Sequence, residues 1–252
     1  MKNGLHAVMI LFLTMILARS STAQEYTVQA VSNGGSISGK VLFEGTPPKP
    51  KVMTVTKDKK IAGKDKRLVD VVVVNDGKLA EAVIYLEKIS AGKDWPKLTD
   101  GGLIDQKGAR FIPHSRVIPA GMKVPIKNSD PVMHNIHAYE LIGRGRRTLF
   151  NKGQPRGLTF NLPFDVKRSH FVKLECDAHN FMHDYLFVAS NPYYSVSAKD
   201  GSYAISDVPP GSYTLMIWHP NLGTRKVAVT VKAGQAVAHD FTFKAKASGG
   251  TK

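Results

Sequence analysis

Short apolar runs separated by turn-forming residues fill most of the chain, and their alternation has the period of strands rather than helices. Ser36-Ile37-Ser38-Gly39-Lys40-Val41-Leu42-Phe43 reads as a strand, ended by the turn-rich Gly45-Thr46-Pro47-Pro48-Lys49-Pro50. Val71-Val72-Val73-Val74 is β-branched throughout, Asn75-Asp76-Gly77 signals a turn, and Ala82-Val83-Ile84-Tyr85-Leu86 resumes an apolar strand. Residues 79–86 also fit a short helix. Phe111-Ile112-Pro113, Val117-Ile118-Pro119, Met122-Lys123-Val124-Pro125-Ile126, Phe171-Val172-Lys173-Leu174 and Tyr185-Leu186-Phe187-Val188 continue the series. Their spacing predicts an all-β sandwich.

The texture changes after residue 190. Asp200-Gly201 turns into Tyr203-Ala204-Ile205, and Pro209-Pro210-Gly211 turns again into Tyr213-Thr214-Leu215-Met216-Ile217-Trp218. Val227-Ala228-Val229-Thr230-Val231 alternates, Ala233-Gly234 turns, and Phe241-Thr242-Phe243 closes a second antiparallel unit. The expected division is therefore 24–190 for the first sandwich, 191–244 for a smaller one, and 245–252 for a fraying tail.

Residues 1–23 read as a secretory leader: an apolar run over 6–17 behind Lys2, then Ser21-Thr22-Ala23 for cleavage. That run is too short to span a bilayer, and no later segment approaches the required length. Export to a periplasmic or extracellular space is the expectation. Cys176 is the single cysteine in the chain, so no disulfide closes within it. In an oxidising compartment a lone thiol is a liability unless buried or held by a metal. The formal charge is +15, and without Lys2 and Arg19 the chain still carries 33 basic against 20 acidic residues. Such a surface steers acidic partners, and steering weakens with salt. Export argues against nucleic acid, and the two basic clusters, Lys57-Asp58-Lys59-Lys60 and Arg144-Gly145-Arg146-Arg147, read as solvated loops.

The chemistry concentrates in Cys176-Asp177-Ala178-His179-Asn180-Phe181-Met182, where a thiolate, an imidazole and a thioether share one tight loop. These are ligand types of a trigonal copper site with a weak axial methionine. The remaining histidine must come from elsewhere, and Asn128-Ser129-Asp130-Pro131-Val132-Met133-His134-Asn135-Ile136 offers His134. Asn135 is placed to hydrogen-bond across to the cysteine loop. His137 is an alternative to His134, and His183 an alternative to Met182. His114 reads as a surface histidine or as a neighbour of the site, His219 as structural, and His170 and His239 carry no usable pattern.

These motifs resemble a cupredoxin, the blue copper fold, fused to a carboxypeptidase regulatory-like (transthyretin-like) module. Cys-x2-His-x2-Met is similar to the short ligand loop of amicyanin, and His134-Asn135-Ile136 to the upstream ligand segment of plastocyanins and amicyanins. Asp200-Gly201-Ser202-Tyr203, Val208-Pro209-Pro210-Gly211-Ser212-Tyr213 and Trp218-His219-Pro220 resemble the regulatory-like module. The resemblance implies a cupredoxin-type Greek-key β-sandwich, with His134, Cys176 and His179 as strong ligands of one type 1 copper and Met182 as the axial one. It also implies His179 on a solvent-facing loop as the electron port. Related chains often carry a cysteine pair where Ala62 and Ala109 stand here.

Enzymatic readings are weakened by absences in the sequence. There is no His-x-His pair for a trinuclear oxidase, and no second cysteine for a binuclear copper centre. Zinc hydrolysis at Cys176, His134 and His179 would leave Met182 without a role. The expectation is a non-enzymatic electron carrier serving an acidic partner such as a cytochrome or dehydrogenase. The alternative is copper delivery or adhesion without electron transfer.

Overall fold

The computed structural model describes residues 26–245 apart from 64, 70 and 115. The expected leader, and the tail beyond 245, lie outside the described residues. The fold is all-β, as the alternation predicts, and consists of two sandwiches. The helical elements among the described residues are one turn at Lys59–Ala62 and a 3-10 turn at Thr99–Gly102. No helix among them is long and apolar enough to cross a membrane.

The first sandwich stacks a five-stranded sheet on a four-stranded one. The larger sheet has the order Arg116–Pro119, His183–Ala189, Phe171–Glu175, His134–Ile142, Gly145–Gln154. The smaller runs Phe111–Ile112, Ile104–Gln106, Lys123–Asn128, Thr159–Pro163. Each sheet contains one parallel pairing, 116–119 with 183–189 and 123–128 with 104–106, so the connections to these pairs cross between sheets, whereas 134–142 and 145–154 form a plain hairpin. Alternate inward residues make the core: Ile136 and Ala138, Val172 and Leu174, Leu186 and Val188 from one sheet, Val124 and Ile126 from the other.

The second sandwich departs from the expected boundary at 190. Strand Gly35–Glu44 pairs antiparallel with Ser202–Val208 and parallel with Ala236–Ala238 and Phe241–Lys244. Val83–Leu86 is likewise sandwiched between Tyr194–Val196 and Gly211–His219, and all four of its residues are buried, which rules out the helical reading of 79–86. Residues 191–244 are therefore not a self-sufficient unit. Their core, with Tyr193, Ile205, Leu215, Ile217 and Phe243, is completed by Ile37, Val41, Leu79, Ile84 and Leu86 from before the first sandwich. The first sandwich is thus inserted into the second. Local alternation identifies these strands, but it does not encode pairing between residues some 200 positions apart. At Asn75-Asp76-Gly77 the turn reading holds: Asp76 and Gly77 both have positive φ, and Val74 and Asn75 pair with Leu79 and Lys78.

A third apolar cluster joins the modules. Val83, Tyr85, Met216 and Trp218 pack against Val117, Phe187 and Ala189, and Trp218 stacks on Phe171 with ring centroids 4.4 Å apart.

Candidate metal centre

Two neighbouring strands deliver the candidate ligands to one end of the five-stranded sheet. His134 begins strand His134–Ile142, and Cys176 follows strand Phe171–Glu175, whose last residue pairs with His137. The loop 176–182 then links to His183–Ala189. It is closed by Cys176 N–H to Met182 C=O at 3.1 Å and tightened by His179 N–H to Cys176 C=O (3.1 Å) and Met182 N–H to His179 C=O (2.8 Å). Spacing of three between Cys176, His179 and Met182 is what makes these successive turns close.

The side chains converge as a triangle. His134 Nδ1 lies 3.0 Å from His179 Nδ1, and Cys176 Sγ lies 3.8 Å and 3.4 Å from those two nitrogens. Among the described residues these three form the metal-capable cluster, and all are buried. Ligands about 2.0–2.3 Å from a shared ion at trigonal or tetrahedral angles would stand roughly 3.3–3.7 Å apart, and the edges of 3.0, 3.4 and 3.8 Å bracket that range, so small ring shifts would let the residues hold a metal. Soft thiolate with two imidazoles suits copper, and zinc is chemically compatible.

Both rings present Nδ1 inward because both Nε2 atoms are occupied by carboxylates. His134 Nε2 is 2.8 Å from Asp130 Oδ2, and His179 Nε2 is 2.9 Å from Asp58 Oδ2. Carboxylates so placed fix the ring orientation and raise ligand basicity. Asp130 is itself held by Asn128, whose Oδ1 accepts the Asp130 N–H at 3.0 Å, and it accepts the Gly108 and Ala109 amides at 2.7 Å each. Asn135 supports the cysteine loop as its position suggests: its N–H points at Cys176 Sγ (3.5 Å), and its Oδ1 accepts the Asp177 N–H at 2.7 Å.

Burial alone would raise the pKa of the Cys176 thiol. Hydrogen bonds from His134 and His179 and from the Asn135 and Ala178 amides outweigh it, and the thiol is lowered to about 6. His179 moves upward, chiefly through its bond to Cys176, against burial and with help from Asp58.

The expected solvent-facing port at His179 is not observed. Its side chain is 1% exposed, covered by the hairpin of residues 51–69 through Asp58. No sequence signal links Asp58 to His179, which lies 121 positions away. Asp130, four residues before His134, is the supporting carboxylate that local spacing could have found. Met182 is buried beside Cys176 and Phe181 in the core, on the ligand loop.

The other histidines among the described residues lie outside the triangle. His137 turns to the opposite side of its strand, toward Asp177 (3.1 Å) and Tyr139 OH (2.8 Å), and stacks on the Tyr139 ring. His183 pairs across the sheet with Glu175, and burial lowers its basicity. His114 sits between Glu81 (2.8 Å) and Asp184 (3.4 Å). His219 is buried in the second sandwich and pushed down to about 4 by desolvation, and His170 Nδ1 meets Val188 C=O.

Residues 188–244 match the family model of the carboxypeptidase regulatory-like domain, a span that omits the strands before residue 90 that complete this sandwich. No curated protein matches the chain. Among solved structures, a novel purple cupredoxin from Nitrosopumilus maritimus is 26% identical, covering 32% of this chain and 83% of its own, with a TM-score of 0.28. A copper-containing nitrite reductase from Thermus scotoductus SA-01 is 14% identical, covering 59% of this chain and 28% of its own, with a TM-score of 0.29. The Bacillus anthracis TIE protein is 10% identical over 84% of this chain and 51% of its own, with a TM-score of 0.19. The chain is thus similar to the regulatory-like domain at its C-terminal end, and in part to copper proteins of known structure.

Proposed function

We propose that this protein is an exported, non-enzymatic one-electron carrier in which His134 Nδ1, Cys176 Sγ and His179 Nδ1 would hold a single type 1 copper ion, with Met182, buried on the same loop, as the further, weak ligand. The buried triangle with edges of 3.0, 3.4 and 3.8 Å carries this reading. Copper bound there would supply reversible one-electron chemistry, soft sulfur favouring the reduced ion and imidazole serving both states. The chain's own groups hold that geometry: the 176–182 turns set the loop, Asn135 supports the sulfur, and Asp130 and Asp58 lock the two rings. A rigid cradle of this kind changes little between oxidation states, which is what a carrier needs. Ligands that are at most 2% exposed also leave no open position for a substrate, which favours a carrier over a hydrolase. The basic surface favours an acidic partner such as a cytochrome or dehydrogenase.

Titration of the purified protein with cupric ion tests this by visible absorption and paramagnetic resonance. An intense thiolate-to-copper charge-transfer band, lost in Cys176→Ser, is expected. A colourless protein, or weak tetragonal signals, would overturn the reading. Reversible redox cycling with copper retained separates a carrier from a delivery protein, and the covered ligands favour retention.

A further inference from the structure

The hairpin over His179 carries features that a mere cover does not need. Strands Lys51–Thr54 and Lys66–Val69 pair antiparallel, with Val52 opposite Leu68, Met53 opposite Arg67 and Thr54 opposite Lys66. Met53 and Arg67 point inward with the buried Val55, and Met53, Ile61 and Ala62 pack on the first sandwich's core. Arg67 fastens the hairpin: its guanidinium donates to the carbonyls of Ala62 and Gly108, each at 2.9 Å, and to Ala109, and it lies over the Phe181 ring. Asp58 adopts a left-handed backbone, φ 49° and ψ 40°, a conformation that aspartate enters more readily than most residues with a side chain. Its carboxylate does not cap the helix that it precedes and instead reaches His179.

The outer face is different. Val52 and Leu68, directly opposite one another, are 61% and 64% exposed. Lys57, Lys59 and Lys60 surround Asp58 on the exposed tip. Residues 51–69 hold six lysines and one arginine against two aspartates, a net charge of +5. Among the described residues no ion pair engages Lys57, Lys60 or Lys66, and Lys59 alone of the tip lysines meets a carboxylate, Asp65 at 2.7 Å. In the other basic cluster two of the three arginines are engaged internally: Arg146 pairs with Glu175 and lies over Tyr139, and Arg147 pairs with Glu140.

We infer that the outer face of the 51–69 hairpin is the docking surface for an acidic one-electron redox protein, with Asp58 as the link between that surface and His179. This rests on the carrier reading. An exposed apolar pair flanked by unpaired lysines offers a desolvated centre and steering charge together. Asp58 places a surface carboxylate one 2.9 Å hydrogen bond from a ligand ring. In the transfer itself one electron passes from the reduced protein to the oxidised partner, with no proton or bond exchanged.

A redox-inert anion, hexacyanochromate(III), added to the full-length reduced protein maps the surface by paramagnetic broadening of amide signals. Broadening centred on residues 52, 57–60 and 68, and relieved by salt, is expected; broadening centred on 143–147, or spread evenly, would overturn the inference. Oxidation by hexacyanoferrate(III), which takes one electron, should slow about tenfold at low salt in Lys57→Glu/Lys59→Glu/Lys60→Glu. Arg144→Glu/Lys152→Glu/Arg156→Glu carries the same charge change elsewhere and should slow it far less. Equal slowing would refute the assignment. The anion map can be repeated on metal-free protein, so failure to form the thiolate–copper band would sink the carrier reading, whereas a band with the anion mapped elsewhere would sink only the docking surface.

Discussion

In metal-free protein the Cys176 thiol should titrate near pH 6, three units below its ordinary value of 9.0. Three units correspond to about 4 kcal/mol of preference for the thiolate. Burial opposes this preference, so the His134 and His179 rings and the Asn135 and Ala178 amides must supply more than that net figure. A hydrogen bond to a charged group contributes about 1.5–3 kcal/mol, or roughly one to two units. His134→Ala should therefore raise the midpoint by about one to two units. Because the folded value lies below the unfolded one, the cysteine's contribution to stability is present above about 9 and is lost as pH falls through about 6. His179 has the opposite sign. Its raised value gives a contribution that is full below 6.5 and is lost as pH rises through the folded value. The thiolate–imidazolium pair is therefore strongest from about 6 up to the raised His179 value. Metal uptake must displace the thiol proton below about 6, so affinity should fall about tenfold per pH unit there from this group alone. Ultraviolet thiolate absorbance and alkylation rates of the metal-free protein measure the midpoint. A midpoint in the ordinary thiol range, or no change in His134→Ala, would refute the reasoning.

Glu140 is buried, but the amides of Lys167, Arg168 and Ser169 and the Arg147 guanidinium outweigh desolvation and hold it down at about 2. Its stabilisation is present above 4.5 and is lost as pH falls toward about 2, so Glu140→Gln should cost on the order of 3 kcal/mol in urea unfolding at neutral pH and flatten stability across that acid window. Trp218→Ala removes the ring stacked on Phe171 between the modules and should cost about 3–5 kcal/mol, and calorimetry is expected to resolve two transitions in the variant against one in the parent. Gly39→Ala would set a Cβ 1.8 Å from the His239 carbonyl oxygen, prising the C-terminal strands from Gly35–Glu44 at a cost of about 1–3 kcal/mol or more. Raised hydrogen exchange confined to residues 236–244 and their partners should accompany it.

What the sequence made legible is what is local. Alternation marked most strands, Asn75-Asp76-Gly77 marked a hairpin, and spacing of three in the cysteine loop placed Cys176, His179 and Met182 on successive turns. His134 was within reach because the loop calls for a second imidazole and His134-Asn135-Ile136 resembles an upstream ligand segment. Strand Gly145–Gln154 escaped notice because its edge position leaves it largely exposed, with no apolar alternation to report. The pairing of Gly35–Glu44 with the C-terminal strands, and the reach of Asp58 to His179, are long-range contacts between segments with no local mark of their partners.

Ala62 and Ala109 show how a resemblance can locate a contact while missing its chemistry. Their carbonyls accept from the same Arg67 guanidinium, so the two segments that a cysteine pair would join are joined here by hydrogen bonds. The exchange alters what the junction can do. A disulfide would tie the hairpin to the 108–109 turn and stop there. Arg67 grips the Gly108 and Ala109 carbonyls from one side, while Asp130 accepts the amides of the same two residues from the other and orients His134 with its second oxygen's reach. Asp58, on the fastened hairpin, orients His179. The cover and both histidines of the triangle therefore belong to one polar network in which each bond supports the next, and loosening the hairpin would release the orientation of both rings along with access.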